Sequence, residues 1–373
     1  MQGATQEQCD TVPHARTTQS VLTSVHPSAQ PRTFLAADVG GTHARLALVA
    51  WPEQANTPEI LAHESYRCAD YPHLEDLLQC FCESVGERPR HMVLACAGYE
   101  HAGMVVNRNL AWPVMPAQLA ANLGMRAVHL LNDFEALAHA TAHLGDANSV
   151  LLKPGQGQAA VAGPMLVVGP GTGLGAAVRL PGTPDRVLVT EAGQIQLAAR
   201  EGIEQQLYAR LSAESHVPYE AVLSGPGLLR TYRALCALRD RFPALAEPAE
   251  VTQAALADPS SLAGEALGLF CGWLGSFIAD LCLVYGATGG VYLAGGFLSG
   301  MLPFMRDSAL LPRFLDKGVM RPFLNKIPIH VVDHGQLGVI GAASWFLHVR
   351  HGSAQVERPA VTSGAGLVAN DRG

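Results

Sequence analysis

The sequence predicts an α/β fold in two lobes, and three observations carry that expectation. Short apolar strand runs alternate with helical spacings along most of the chain. Two strand–glycine turn–strand cycles recur, one beginning at 34 and one at 165, as if each half repeated one plan. The 373 residues, 49% of them apolar, can bury more than one core of ordinary size and exclude global disorder.

The elements follow in order. FLAADV (34–39) and RLALVA (45–50) are short apolar runs around a Gly-Gly turn, which predicts a hairpin. Residues 73–85 carry helical spacing, and strands are expected at 91–97 and 103–106. A helix at about 116–123 leads to a strand at 126–131, after which FEALAHATAHL reads as helical. A new cycle then starts with MLVVG (165–169), a glycine loop, GAAVRL and RVLVT (186–190). Helices follow at about 200–212, 225–238 and 262–285, then the strand GVYLAGG, the strand IPIHVV (327–332) and a helix at about 336–349.

This pattern predicts a small lobe from 33–142 plus 334–350 and a large lobe from 143–333. Residues 1–32 and 351–373 are polar, lack apolar periodicity and are expected to be disordered. The first segment has no apolar core of the kind a secretory signal needs. Leu281 to Met305 contains no charged residue, yet six glycines and Pro303 between 286 and 303 break it up. It reads as the end of a buried helix, a strand and a loop, and not as a membrane span.

Composition narrows the function. Net charge is −7, so there is no basic footprint for nucleic acid or an anionic membrane. Lysine occurs three times (Lys153, Lys317, Lys326), and none follows a glycine, so the Gly-Lys-Ser/Thr phosphate loop is excluded. Any phosphate must be held by backbone amides, hydroxyls, arginine or metal. Eight cysteines without a CxxC pair fit a reduced, cytoplasmic protein; Cys271 and Cys282 read as small buried hydrophobes.

Both cycles place a threonine in a glycine-rich turn: Asp38-Val39-Gly40-Gly41-Thr42 and Gly169-Pro170-Gly171-Thr172-Gly173. Glycine permits positive φ and close backbone approach, so successive amides can converge on an anion. Asp38, at a strand end, suits a metal ion held directly or through water. One such loop is more often a tight turn; two on two halves of a chain point to a shared phosphate clamp. Gly171-x-Gly173-x-x-Ala176 formally fits a dinucleotide fingerprint, but Pro181, Gly182 and Pro184 bar the helix it requires. Asn132-Asp133 stands at a strand-to-helix junction, where a helix cap is the plain reading. With Glu191 and Glu220 at loop ends, these carboxylates and amide would also suit a hexose, whose hydroxyls donate and accept at once.

AADVGGTHARLAL, LNDFEALA, VVGPGTGLGAAV, LSGPGLLRTYRAL, VYLAGGF and GQLGVIGAA together resemble the bacterial glucokinases of the enterobacterial type. The resemblance covers about 33–349, with the motifs in family order. The CxCGxxGC zinc motif of the repressor/kinase sugar-kinase group is absent. The resemblance implies an actin/hexokinase-like ATPase fold with ligands between the lobes, ATP and Mg²⁺ as cofactors, and cytoplasmic phosphorylation of glucose at its 6-hydroxyl. It implies ATP contacts from Asp38, Gly40, Gly41, Thr42, Gly169, Gly171, Thr172, Gly173, Gly295 and Gly296, with Asp38 reaching Mg²⁺ through water. It further implies sugar contacts from Asn132, Asp133, Glu191, Gln194 and Glu220, Asp133 as general base, and a homodimer at the family level.

The chain departs from the family pattern where Glu-Gly-Gly-His becomes Glu191-Ala192-Gly193-Gln194. Ala192 matters if that position needs positive φ, and Gln194 cannot become charged. His43 replaces a common asparagine, and Ala97-Gly98-Tyr99 lacks the usual proline. Arg45 suits either phosphate or packing. Two alternatives therefore stand beside glucokinase: a sugar-binding regulatory paralogue, and a kinase for another hexose.

Overall fold

A computed structural model describes residues 32–51, 57–106, 110–145, 148–156, 163–182, 185–212, 216–332 and 335–356. The first sheet contains β1 (Thr33–Val39), β2 (His43–Ala50), β3 (Glu59–Arg67), β4 (His91–Cys96) and β7 (Ala127–Asn132), in the order β3-β2-β1-β4-β7. The second contains β9 (Met165–Pro170), β10 (Leu174–Leu180), β11 (Arg186–Thr190), β12 (Gly290–Ala294), β13 (Ile329–Val332) and β8 (Ser149–Lys153), in the order β11-β10-β9-β12-β13-β8. Apart from β8, the two sheets share one plan. Each has an antiparallel hairpin (β1–β2, β9–β10), and its first strand pairs in parallel with the next (β4, β12). A two-stranded ribbon, β5 (Tyr99–His101) and β6 (Met104–Val106), stands apart.

Period-two alternation explains how the first sheet is covered on both faces. Leu35 and Ala37 of β1 pack with residues of α1 (Leu74–Val85) and α2 (Pro116–Asn122). Phe34 and Ala36 face the other way, onto Val339, Ala342 and Phe346 of α11 (Leu337–Val356). In the second sheet Leu166 and Val168 join the core around α7 (Leu262–Tyr285). Val167 joins Leu137 and Ala138 of α3 (Asp133–Ala140) on the opposite face. The helices α3 and α11 lie between the sheets, and the Gly341 backbone comes so close that a Cβ there would stand 1.7 Å from the Ala136 carbonyl oxygen.

The core against the second sheet is built around α7, capped by the Ser261 hydroxyl at its start and by Gly286, φ 60°, at its end. It is apolar and long enough for a membrane span, but 72% of its most apolar stretch is buried in protein, which makes it a core helix. The uncharged run from 281 to 305 is the end of α7 and then β12, as its glycines predict, but the expected loop closes into a 3-10 turn and the start of α8 (Leu302–Asp307). Around α7 stand α4 (Ile203–Leu211), α5 (Gly225–Leu238), α6 (Pro248–Ala257), α8 (Leu302–Asp307), α9 (Leu310–Leu315) and α10 (Arg321–Asn325). A buried ion pair, Glu204 with Arg313, ties α4 to α9. Trp273 Nε1 donates to Glu204 (2.7 Å) and Arg313 Nε to Ser276 (2.9 Å), bringing in α7.

Two expectations change. The last helix runs to Val356, through Gly352 and into a stretch expected to be disordered, with no proline before Pro359 to stop it. The helix expected from 200 starts at Ile203, after Gly202 at φ 88°. Residues 1–31 and 357–373 lie outside the described residues.

Candidate active site

In the first sheet β1, β4 and β7 run parallel, and the register sets Val39, Cys96 and Asn132 side by side at their carboxyl ends. Ligands of open α/β sheets gather at such ends. Asp38 is buried there, opposite Arg45 in the hairpin register, and the Arg45 guanidinium stands 3.5 Å from its carboxylate. The first turn of α11 presses on the other side: a Cβ on Gly338 would stand 2.5 Å from the Asp38 carboxylate. Arg45 is thus a partner of Asp38, and Gly338, to which the sequence reading gave no role, makes that approach possible.

Asn132 is the helix cap its position predicts. Its Oδ1 accepts from Phe134 N (2.9 Å) and Glu135 N (3.2 Å). The same Phe134 amide also donates to Asp133 Oδ1 (2.9 Å). Capping occupies only the carbonyl oxygen of Asn132, so its amide group keeps two N–H donors for another partner. Burial first and the Asp38 charge second push the Asp133 carboxyl up to about 6, with Glu191 adding a smaller push and the Phe134 amide opposing. Cys96 sits with both aspartates, and burial followed by their charges pushes its thiol up to about 12, so it stays neutral.

The second sheet repeats the arrangement. The loop 169–173 leaves β9 beside the end of β12; Gly171 N donates to Gly173 O (2.8 Å), and Gly225 N, at the start of α5, to Gly171 O (2.8 Å). None of the seven glycines assigned to the nucleotide has positive φ, so handedness is not why they are glycines. Gly171 and Gly296 have open space where a Cβ would stand, as a ligand-facing backbone requires. Gly169 is different: it is buried, and its bare Cα faces the Phe134 ring and the Ala294 carbonyl. Gly295 likewise admits the Pro170 carbonyl. Both are buried, and what their missing side chains make room for is protein. In the first hairpin Gly40 N closes the turn on His43 O (3.0 Å), leaving Gly41 and Thr42 exposed at the tip. Thr172 is exposed at the tip of the second.

Glu220 joins the second loop to the sugar-side residues. One carboxylate oxygen accepts from Leu174 N (2.8 Å) and the other from Gln194 Nε2 (3.1 Å). His216 Nε2 contacts the Gln194 carbonyl oxygen at 3.0 Å. Ala192 is buried and has no positive φ, so alanine costs no backbone strain there. It is Gly193 that must stay bare, since a Cβ would stand 2.2 Å from Leu174 O. Glu191 is exposed, within electrostatic reach of Asp133.

The structure therefore gathers Asp38, Asn132 and Asp133 at the strand ends of the first sheet, brings Glu191, after β11 of the second, within electrostatic reach of Asp133, and links Glu220 and Gln194 to the second loop. Among the described residues, no group of three or more His, Cys, Asp or Glu side chains could hold a metal. A single carboxylate, already facing Arg45, suits a Mg²⁺ that keeps most of its waters and arrives with a nucleotide.

The glucokinase family model matches residues 35–349. A glucokinase-like protein of Xylella fastidiosa (strain 9a5c) is 46% identical over 324 residues, 85% of this chain and 95% of that protein. The glucokinase of Saccharophagus degradans is 35% identical over 315 residues, 84% of this chain and 97% of that one. A crystal structure of glucokinase from an Antarctic psychrotroph is 32% identical, with a TM-score of 0.74 over 86% of this chain and all of that one. With the family model matching nearly all of the described chain and these relatives aligned over more than four fifths of it, the chain belongs to the glucokinase family, sugar kinases of the actin/hexokinase-like ATPase fold.

Proposed function

We propose that this chain transfers the γ-phosphoryl group of MgATP to the 6-hydroxyl of D-glucose in the cytoplasm, with Asp133 as general base. The observation that carries this reading is the Asp133 carboxylate. It is half-buried, oriented by the Phe134 amide, and raised toward neutrality beside Asp38 and Glu191. A base of that kind is ionised at pH 7 yet still accepts a proton readily. Glucose lies against Asn132, Asp133, Glu191, Gln194 and Glu220. The nucleotide lies along the loops 38–42 and 169–173 and the turn at Gly295–Gly296. The 6-oxygen bonds to the γ-phosphorus, the bond to the β–γ bridging oxygen breaks, ADP leaves, and the hydroxyl proton passes to Asp133. Such a transition state is loose, so alignment and charge neutralisation dominate. Loop amides and threonine hydroxyls supply the neutralisation that a lysine supplies elsewhere, and Asp38 would help to hold a Mg²⁺ that adds positive charge at the phosphates. The exposed Glu191, Gln194 and Thr172 are the surfaces over which the lobes close, shutting out water as a competing acceptor.

The Gln194–Glu220 hydrogen bond and the unstrained Ala192 support a working sugar site over the regulatory alternative. The test is an ADP-release assay over a panel of hexoses. Glucose turnover that collapses in Asp133→Asn supports the reading. Preference for another hexose revises the substrate, and sugar binding without turnover overturns the kinase.

A further inference from the structure

Resting on that reading, we infer that Phe134 is a positioning residue that locks Asp133 to the second glycine loop. Gly169 and Gly175 face each other across the β9–β10 register. A Cβ on Gly175 would lie 1.9 Å from Phe134 Cε2, and one on Gly169 would lie 2.6 Å from Cζ. The two bare Cα atoms make a slot in the hairpin, and the phenyl ring fills it. The backbone of the same residue does the second half of the work: its single N–H donates to both Asn132 Oδ1 and Asp133 Oδ1. The ring is thus anchored in the strands that carry residues 171–173, while the amide two bonds from its Cβ aims the carboxylate.

Phe134 leaves the first sheet at the end of β7 but seats its side chain in the second sheet. It therefore spans the two sheets at the point where acceptor and donor must align. The phosphate-side loop and the base share one rigid reference, and lobe motion cannot change their separation without drawing the ring from its slot. Positional errors of about 1 Å cost on the order of 10²-fold in rate, which is the scale such a lock controls. Two glycines that sequence reasoning assigns to phosphate or to a turn acquire a different reason to be glycine: the ring occupies the place of their side chains.

The test compares Phe134→Leu, Phe134→Met and Gly175→Ala, each checked for native circular dichroism, with the parent chain. In Phe134→Leu and in Gly175→Ala, which evicts the ring without shortening it, kcat at saturating glucose and MgATP should fall about 10–100-fold. The glucose Kd from calorimetry should stay within about threefold, because Glu191, Gln194 and Glu220 are untouched. Hydrogen exchange should accelerate together in segments 130–138 and 168–176. Phe134→Met refills the slot with a flexible chain and should recover thermal stability but not kcat. A folded Phe134→Leu with kcat within twofold of the parent overturns the inference, as does Met restoring kcat along with stability. Exchange that accelerates in one segment alone also overturns it. If the parent phosphorylates no hexose, the proposed function fails, and the exchange data still decide whether the ring couples the two segments.

Discussion

Asp133→Asn should remove activity and raise stability at once. A positioned general base contributes about 10²–10⁴ in turnover. Asparagine keeps an oxygen to accept the Phe134 amide, so the local geometry survives while the proton acceptor is lost. The stability sign follows from the carboxyl being raised from 3.8 to about 6. Between those values the folded chain holds a proton that the unfolded chain has released, so stability falls as pH rises through this window. Above it the folded state carries the full cost of an ionised Asp133, roughly 3 kcal/mol at most. Removing the charge returns that cost, worth several degrees at about 2–4 °C per kcal/mol for a lobe of this size.

The same shift sets the parent's pH profile. With a carboxyl near 6, the ionised fraction falls about tenfold between pH 7 and pH 5; an ordinary aspartate would lose only about 6% of it. The rate is read at low concentrations of both substrates, so that it reports the free enzyme, and Asp133→Asn corrects for the nucleotide's own titration. A parent rate flat from pH 7 to 5 after that correction would refute the raised base. So would an Asn variant that melts below the parent at pH 7.5.

Other expectations are simpler. Gln194→Ala removes the donor to Glu220 and should raise the glucose KM about two- to tenfold with kcat nearly unchanged, by steady-state kinetics. Arg313→Met leaves the Glu204 carboxylate buried without its cation and should cost about 3–5 kcal/mol in urea unfolding, while adding Glu204→Leu should recover much of it. Gly338→Ala drives a methyl against the Asp38 carboxylate and should raise the MgATP KM more than the glucose KM. Burial holds the Cys271 thiol up at about 12, and Cys96 is held there as well, so both should resist iodoacetamide at pH 8 until the chain is unfolded, as peptide mapping would show.

Much of the architecture was legible because its signals are local. The two hairpins, the helix 262–285 with its cap residues, and the parallel strands before Asn132 all carry periodicity or punctuation that a linear reading detects. The elements that escaped are those whose pattern is made by neighbours. At the sheet edge, β3 reads EILAHESYR, with no clean alternation, and β8 is a five-residue edge strand. The short helices α8, α9 and α10 each contain a proline in the first turns, and α6 opens on Pro248 behind a Glu247–Glu250 capping box. The site was legible as a set of residue types. Asn132 and Asp133 stood at a junction, Glu191 and Glu220 at loop ends, and the glycine loops repeated.

The reason each glycine is a glycine was not legible. In the sequence, Gly40, Gly169, Gly171, Gly295 and Gly296 form one class, all assigned to the nucleotide. In three dimensions Gly171 and Gly296 present open backbone, Gly169 and Gly175 admit a phenyl ring, and Gly338 admits a carboxylate. A missing side chain is recorded in the sequence, but what occupies its place comes from a strand or helix tens to hundreds of residues away. The scarcity of lysine ruled out one phosphate-binding mechanism from composition alone, since a residue that is absent cannot act. The raised carboxyl of Asp133 needed the fold, because it arises from burial and from Asp38 and Glu191 converging on it from other strands. Residue chemistry is local and survives in a linear string; proximity is not, and proximity is what turns these carboxylates into a site.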